Sequence, residues 1–220
     1  MTWAPLWLSF EIAALATVLT VVVGTALAVL LDWKRLPGRD FLDALVSAPL
    51  VLPPTVLGYY LLVVLGNKGA IGRAWESVFG STIVFNYPGA VIAAAVGSLP
   101  LVVRAVRVAL EGIDPNLIFA ARTLGARPVR VLFRVTLPLA APGIVAGAML
   151  GFARALGDYG ATQMVAGSRL DGTSTASIYV MDQLLANNDD SVFAMSAAMT
   201  AFGVAMLYLA NRLTRRNRRG

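Results

Sequence analysis

The sequence predicts an all-α, polytopic membrane protein with five transmembrane helices, its N-terminus outside and its C-terminus inside. Three observations carry that prediction. Of 220 residues, 58% are hydrophobic and only 14% charged, a balance far more apolar than that of a soluble domain. Cutting the chain at every Asp, Glu, Lys and Arg leaves uncharged runs at 12–31, 44–67, 77–103, 135–153 and 191–211, of 20, 24, 27, 19 and 21 residues. A helix rising ~1.5 Å per residue crosses ~30 Å of hydrocarbon in about 20 residues, so each run can span once. Finally, 14 of the 18 Lys and Arg fall in 32–43, 104–134 and 212–219, and the other 4 in 68–76 and 154–169. With five crossings the first three segments share one side, which the positive-inside rule makes the cytoplasm.

The elements follow in order within a single transmembrane domain over 1–220. Span one, about 8–31, is Leu, Val and Ala with Gly24, and Glu11 sits at its outer end within reach of headgroup water. No Lys or Arg precedes it and Lys34 and Arg35 follow it, the reverse of a secretory signal, so it is expected to stay in the mature chain. Span two, about 44–66, carries Pro49, Pro53 and Pro54, then Thr55 and Gly58. Adjacent prolines remove backbone donors, and non-helical backbone at membrane depth survives only where protein buries it or water reaches it. Two readings stay open there: a packing kink, or one wall of a translocation path.

An outer connection over 68–87 has room for a short helix around Trp75. Span three, about 88–108, contains Pro100 and ends near Arg104 and Arg107. Span four, about 138–157, has Gly143, Gly147 and Gly151 at i, i+4, i+8, three glycines on one helical face that let another backbone approach. Past Arg154 come Leu156, Gly157, Asp158, Tyr159, Gly160, Ala161 and Thr162, an acidic residue between glycines at the end of a span. An ionisable group at that depth is a candidate to line a path or gate; the alternative is a helix end reaching water. Residues 167–190, with Arg169, Asp171 and Asp182, form an external loop with a short helix over 178–185. Asp189 and Asp190 lack the ligand ladder of a calcium loop. Span five, about 191–211, leads into Arg212, Arg215, Arg216, Arg218 and Arg219, read as an anchor at anionic lipid and not as a nucleic-acid patch.

The cytoplasmic loop over 111–137 is too patterned to be a mere connection. Asp114 can accept from first-turn N–H groups, Pro115 fits the first helical position, and no breaker follows until Gly125, which can cap the end. Pro128 can open a second helix ending at Pro138, with Val129, Leu132, Phe133 and Thr136 on one face and Arg127, Arg130 and Arg134 on another. A short helix held out from the membrane on a second one suits docking into a partner's groove.

Ala120, Ala121, Gly125, Val135, Leu137 and Pro138 fit the EAA loop of ABC importer permeases: Glu-Ala-Ala, three residues, Gly, nine residues, an aliphatic, one residue, Leu-Pro. The spacing matches at every step, and Phe119 stands where the pattern has Glu. The blocks Leu52-Pro53-Pro54-Thr55-Val56-Leu57-Gly58-Tyr59-Tyr60, Ala120-Ala121-Arg122-Thr123-Leu124-Gly125-Ala126 and Phe152-Ala153-Arg154-Ala155-Leu156-Gly157-Asp158-Tyr159-Gly160-Ala161-Thr162 are similar to bacterial molybdate permease subunits. Asp158 and Tyr159 stand where Glu and Phe would be expected. Sulfate and tungstate permeases share much of this framework.

The resemblance implies a type I ABC importer permease fold in the inner membrane, working as a homodimer. Two cytoplasmic ABC ATPase subunits would bind ATP and Mg below it, and a periplasmic oxyanion-binding protein would deliver molybdate, or alternatively sulfate or tungstate, from above. Phe119, Ala120, Ala121, Leu124, Gly125, Val135, Leu137 and Pro138 would couple to the ATPase. Pro53, Pro54, Thr55, Gly58, Asp158, Tyr159, Gly160 and Thr162 would line the path or gate, with Asp158 better suited to gating or packing than to facing an anion.

Composition removes several chemistries. With Cys 0 and His 0 there is no thiolate, disulfide, imidazole base or Cys/His zinc site. No GxxxxGK[ST] phosphate loop occurs, so the chain is expected to hydrolyse no ATP, to carry no catalytic residue and to hold no cofactor or metal of its own. An intramembrane aspartic enzyme would need a second Asp inside a span, and none is there. A secondary carrier or channel fits the composition but has no use for the 111–137 loop, and a structural scaffold has no specific support.

Overall fold

The computed structural model describes residues 3–33, 36–168 and 172–217, and among these every regular element is helical. The helices are α1 (Ala4–Asp32), α2 (Arg39–Val51), α3 (Pro54–Leu65), α4 (Ala70–Phe79), α5 (Tyr87–Glu111), α6 (Pro115–Thr123), α7 (Pro128–Val131), α8 (Leu137–Leu156), α9 (Gly160–Ala166), α10 (Ala176–Leu185) and α11 (Asp189–Asn217). Lys34, Arg35, Arg169, Asp171, Arg218 and Arg219, singled out above, lie outside the described residues. Among those described, α1, α5 and the continuous helix Pro128–Leu156 are each long and apolar enough to cross a bilayer. The pair α2–α3 is a fourth candidate, and the uncharged run 191–211 falls within α11.

The centre is a three-helix bundle of α1, α5 and α8. Small residues make it, because without a hydrophobic drive between lipid-immersed helices close backbone approach supplies the attraction. Ala13, Ala16, Ala90, Ala94 and Ala155 share one buried cluster. The three glycines of α8 face α5 as their spacing predicts: a Cβ on Gly143 would lie 2.2 Å from Ala109 Cβ, on Gly147 3.2 Å from Ala105 Cβ, and on Gly151 2.8 Å from Val102 Cγ2. Gly24 of α1 meets the same Val102. Two buried hydroxyls are satisfied within their own helices, Thr20 donating to the Ala16 carbonyl and Ser98 to that of Ala94.

Several sequence expectations need correction. The 44–66 run is not one straight crossing: α2 stops at Val51, α3 begins at Pro54, and the two are bent by 120°. Pro53 and Pro54 together withhold two N–H donors and force the preceding residue out of the helical region, so the break falls where they stand. Pro100, by contrast, is buried inside an unbroken α5 that runs three residues past the expected end at 108. The second helix of the cytoplasmic loop does not end at Pro138. A π-helical turn, Leu132–Thr136, joins α7 to α8, with Leu137 N–H donating to the Leu132 carbonyl five residues back. A proline ring crowds the carbonyl four residues before it, and widening the helix by one residue relieves that contact without stopping it. Val129 and Phe133 do not form an inward face either; they are exposed, and Val131 is the buried one.

Candidate functional site

The two sequence blocks assigned to a path come together. α3 and α9 lie against each other with almost no side chain between them: a Cβ on Gly58 would sit 2.7 Å from Met164 Cβ and 3.1 Å from Ala161 Cα. A Cβ on Gly160 would sit 2.8 Å from Pro54 Cβ. Glycine is required at both places for steric reasons, and the double proline supplies the sharp entry that brings α3 to α9. Pro53, Pro54 and Thr55 are exposed on this chain, and Tyr59 and Tyr60 are each 55% exposed, so α3 presents a mixed apolar and hydroxyl face.

Asp158 does not reach water at the end of α8; it is 3% exposed. Its Oδ1 accepts from Arg154 Nη1 at 2.9 Å, and its Oδ2 accepts from both Thr162 N–H at 2.9 Å and Thr162 Oγ1 at 2.8 Å. Three of the carboxylate's roughly four acceptor positions are thereby used, by α8 behind it and α9 ahead of it. The pair lies against Gly97 of α5, where an added Cβ would be in ordinary van der Waals contact, 3.7 Å from Arg154 Nη2 and 3.9 Å from Asp158 Oδ1. Asp158 therefore fixes the turn between α8 and α9, with Thr162 buried beneath it and Tyr159 partly exposed beside it. Arg154 was not among the expected site residues, although its i, i+4 spacing to Asp158 on one helical face was readable.

The α6 hairpin is built differently. Asp114 accepts from Asn116 N–H at 2.9 Å to cap α6. At the other end Gly125 takes φ +79°, Gly125 N–H donates to the Arg122 carbonyl and Ala126 N–H to that of Ala121, the paired bonds of a Schellman cap. α6 buries no residue. Phe119 is 62% and Leu124 88% exposed, while Ala121 and Val135 are half-buried and Leu137 and Pro138 open α8. A second tie the sequence did not reveal is the Arg107–Asp43 ion pair at 2.7 Å, which fastens α2 to the C-terminal end of α5. Among the described residues no cluster of three or more potential metal ligands occurs.

A helix capped at both ends, with exposed apolar side chains, is joined to a bundle of membrane-length helices. Residues 20–219 match the family described as "Binding-protein-dependent transport system inner membrane component". The chain belongs to that family. As such a component it is a multi-pass protein of the inner membrane. It is 50% identical over 160 residues to the "Molybdenum transport system permease protein ModB" of Escherichia coli K12, covering 73% of this chain and 70% of that one. The Azotobacter vinelandii protein of the same description is 37% identical, with 93% and 91% covered. The "Sulfate transport system permease protein CysW" of Synechocystis is 33% identical, with 96% and 76% covered. The fold is that of type I ABC importer permeases. A chain of the MetNI methionine ABC transporter superposes with TM-score 0.75 at 20% identity, covering 96% of this chain and 94% of that one. A chain of a bacterial alginate-importing ABC transporter gives 0.77 at 15%, covering 97% and 78%.

Proposed function

We propose that this chain is the membrane permease subunit of an ATP-driven importer that moves molybdate from a periplasmic binding protein into the cytoplasm. The observation that carries this reading is α6: a helix capped at both ends that buries none of its residues, with the apolar side chains Phe119 and Leu124 left largely exposed. The molybdate assignment rests on the identity to molybdenum permeases over most of the chain. Sulfate is the second reading, supported by the sulfate permease relative.

In this mechanism the chain crosses the membrane five times, N-terminus outside, and pairs with a second copy. Two ABC ATPase subunits bind ATP and Mg; this subunit contributes no catalytic group and no cofactor. Closure of the ATPase pair moves α6, and α7 with the continuous helix behind it transmits that movement to α8. At the far end of α8 the Arg154–Asp158–Thr162 network passes it to α9, and the α9–α3 crossing moves as one piece. The exposed face of α3, with Thr55 and Tyr59, then lines the path between the two copies. Two states read by both ATP and the anion are what coupling requires.

The test is ATP hydrolysis by the co-purified permease and ATPase subunits, with binding protein loaded in turn with molybdate, tungstate or sulfate. Stimulation by the molybdate-loaded form above the others is expected. Stimulation only by the sulfate-loaded form would replace the anion, and failure of any ATPase subunit to associate would overturn the importer reading. Deleting 115–124 should abolish uptake while leaving insertion intact, and Gly125→Trp should do the same; normal uptake by either would remove α6 from the mechanism.

A further inference from the structure

An open cavity of about 650 Å³ lies at the end of α3, between the turn that leaves that helix and the segment that leads into α5. Its polar lining is Asn67, Lys68, Thr82 and Asn86, and no carboxylate is among the lining residues. On the positive-inside assignment this end of α3 faces outward. Of the cations described on that side, Arg154 is committed to Asp158. Lys68 has no ion pair among the described residues and is one of those that line this space.

The cavity is tied to the proposed path in two ways. Thr55, Tyr59, Leu62 and Gly66 follow at i, i+4, i+7 and i+11, one face of α3, and that face ends in the cavity wall at Leu62 and Gly66. The opposite wall is held by α9: Phe85 takes φ +57°, an unusual conformation for an aromatic residue, and its N–H donates to the Val165 carbonyl at 2.8 Å. Asn86 Nδ2 donates to both the Thr82 carbonyl and Thr82 Oγ1, so those two residues brace the wall and leave Lys68 and Asn67 as the free donors.

We propose that this cavity is an outer reception subsite for a tetrahedral oxyanion, with the Lys68 ammonium as its charge and the Asn67 amide as a second donor. The proposal rests on the importer reading. A single exposed cation, screened within about 8 Å at physiological salt, holds a divalent anion only weakly. Weak holding suits a transit site, which must release what it receives. Because the walls are α3 and an α9-anchored loop, the cavity keeps its shape and travels with the α3–α9 crossing as one piece.

The chain has no Cys, so Val63→Cys, on the exposed cavity wall, places a single reporter thiol in this subunit. The assembled permease–ATPase complex in nanodiscs is labelled with a neutral thiol reagent and the modification is read on this chain by mass. Molybdate should slow labelling where chloride at equal ionic strength does not. Lys68→Gln should raise the molybdate concentration needed by roughly tenfold or more, the loss expected when a charged donor is removed, and Lys68→Arg should restore most of it. Equal protection by chloride, no protection, or undiminished protection in Lys68→Gln would each overturn the subsite. So would weaker docking of the unloaded binding protein to Lys68→Gln, which would assign the lysine to a protein contact. Leu62→Cys is the second reporter if Val63→Cys does not assemble. ATP-driven uptake in the unaltered complex separates the two ideas: uptake without protection removes only the subsite, and absent ATPase association removes the importer reading.

Discussion

The α3–α9 crossing and the α6 hairpin are both short helical pieces set by glycine and proline, yet they resolve their side chains in opposite ways. At the crossing, Gly58 and Gly160 bring backbones into contact, and Asp158 is buried in its pair with the partly exposed Arg154. At the hairpin, the glycine is used for a left-handed turn with nothing within 4 Å, and the apolar residues stay outside. The crossing completes its contacts within one chain. The hairpin holds a shape whose contacts must come from another. Substitutions at the crossing should therefore act on the stability of this subunit, and those at the hairpin on its association.

The largest effect belongs to Asp158→Ala. It leaves the Arg154 charge and two Thr162 donors without their acceptor. Breaking a buried pair costs about 3–5 kcal/mol, and since the Arg154 side chain is 30% exposed the lower end is expected. Thermal unfolding of the detergent-solubilised subunit would read this. Asp158→Asn with Arg154→Met, which keeps an acceptor for Thr162 and removes the stranded charge, should recover most of the loss. No recovery would mean the carboxylate acts other than by holding this turn.

Next come Gly58→Val and Gly160→Val, which put carbon where less than 3 Å is free. Overpacking of this kind costs roughly 1–3 kcal/mol. The two substitutions touch the same interface, so their combined cost should fall short of the sum. Full additivity in the unfolding measurement would argue that α3 and α9 do not move as one piece. Smaller again is Gly125→Ala: a Cβ meets no atom there, and the cost is that of the left-handed conformation alone, about 1–2 kcal/mol at most. A loss confined to the hairpin, seen as faster amide exchange over α6 with an unchanged bundle, would match that cause.

The contrast also explains what the sequence could and could not disclose. Local chemistry was legible: Asp114 and Pro115 mark one end of α6, Gly125 the other, and the spacing of Gly143, Gly147 and Gly151 gives the face that packs on α5. The double proline marked a break but not its 120° angle, since the angle is set by what α3 packs against. That partner, α9, lies more than a hundred residues away, and one chain's pattern holds no record of which glycine meets which. The register of the loop's second helix failed for a related reason. Val129 and Val131 are equally apolar, and the bundle above them, not periodicity over four residues, decides that Val131 turns inward.

The sharpest form of the comparison is a substitution expected to do nothing to this subunit. Leu124 is 88% exposed and Phe119 62%, so Leu124→Asp and Phe119→Glu remove almost no buried surface. Surface changes of this kind stay within about 0.5 kcal/mol, and the unfolding temperature should not move. Both side chains are nonetheless large and apolar, Phe119 at the middle of the exposed helix and Leu124 at its C-cap, and truncating anchors of this kind costs an interface more than about 1 kcal/mol. The affinity for the ATPase subunit should then fall by roughly tenfold or more, and uptake should fall with it. Phe119→Glu is the more discriminating of the two, because it restores the acidic residue of the importer loop pattern. If a polar contact to that side chain is available in the partner's cleft, Phe119→Glu should keep its affinity while Leu124→Asp loses it. If the cleft has adapted to the aromatic ring, both should fail alike.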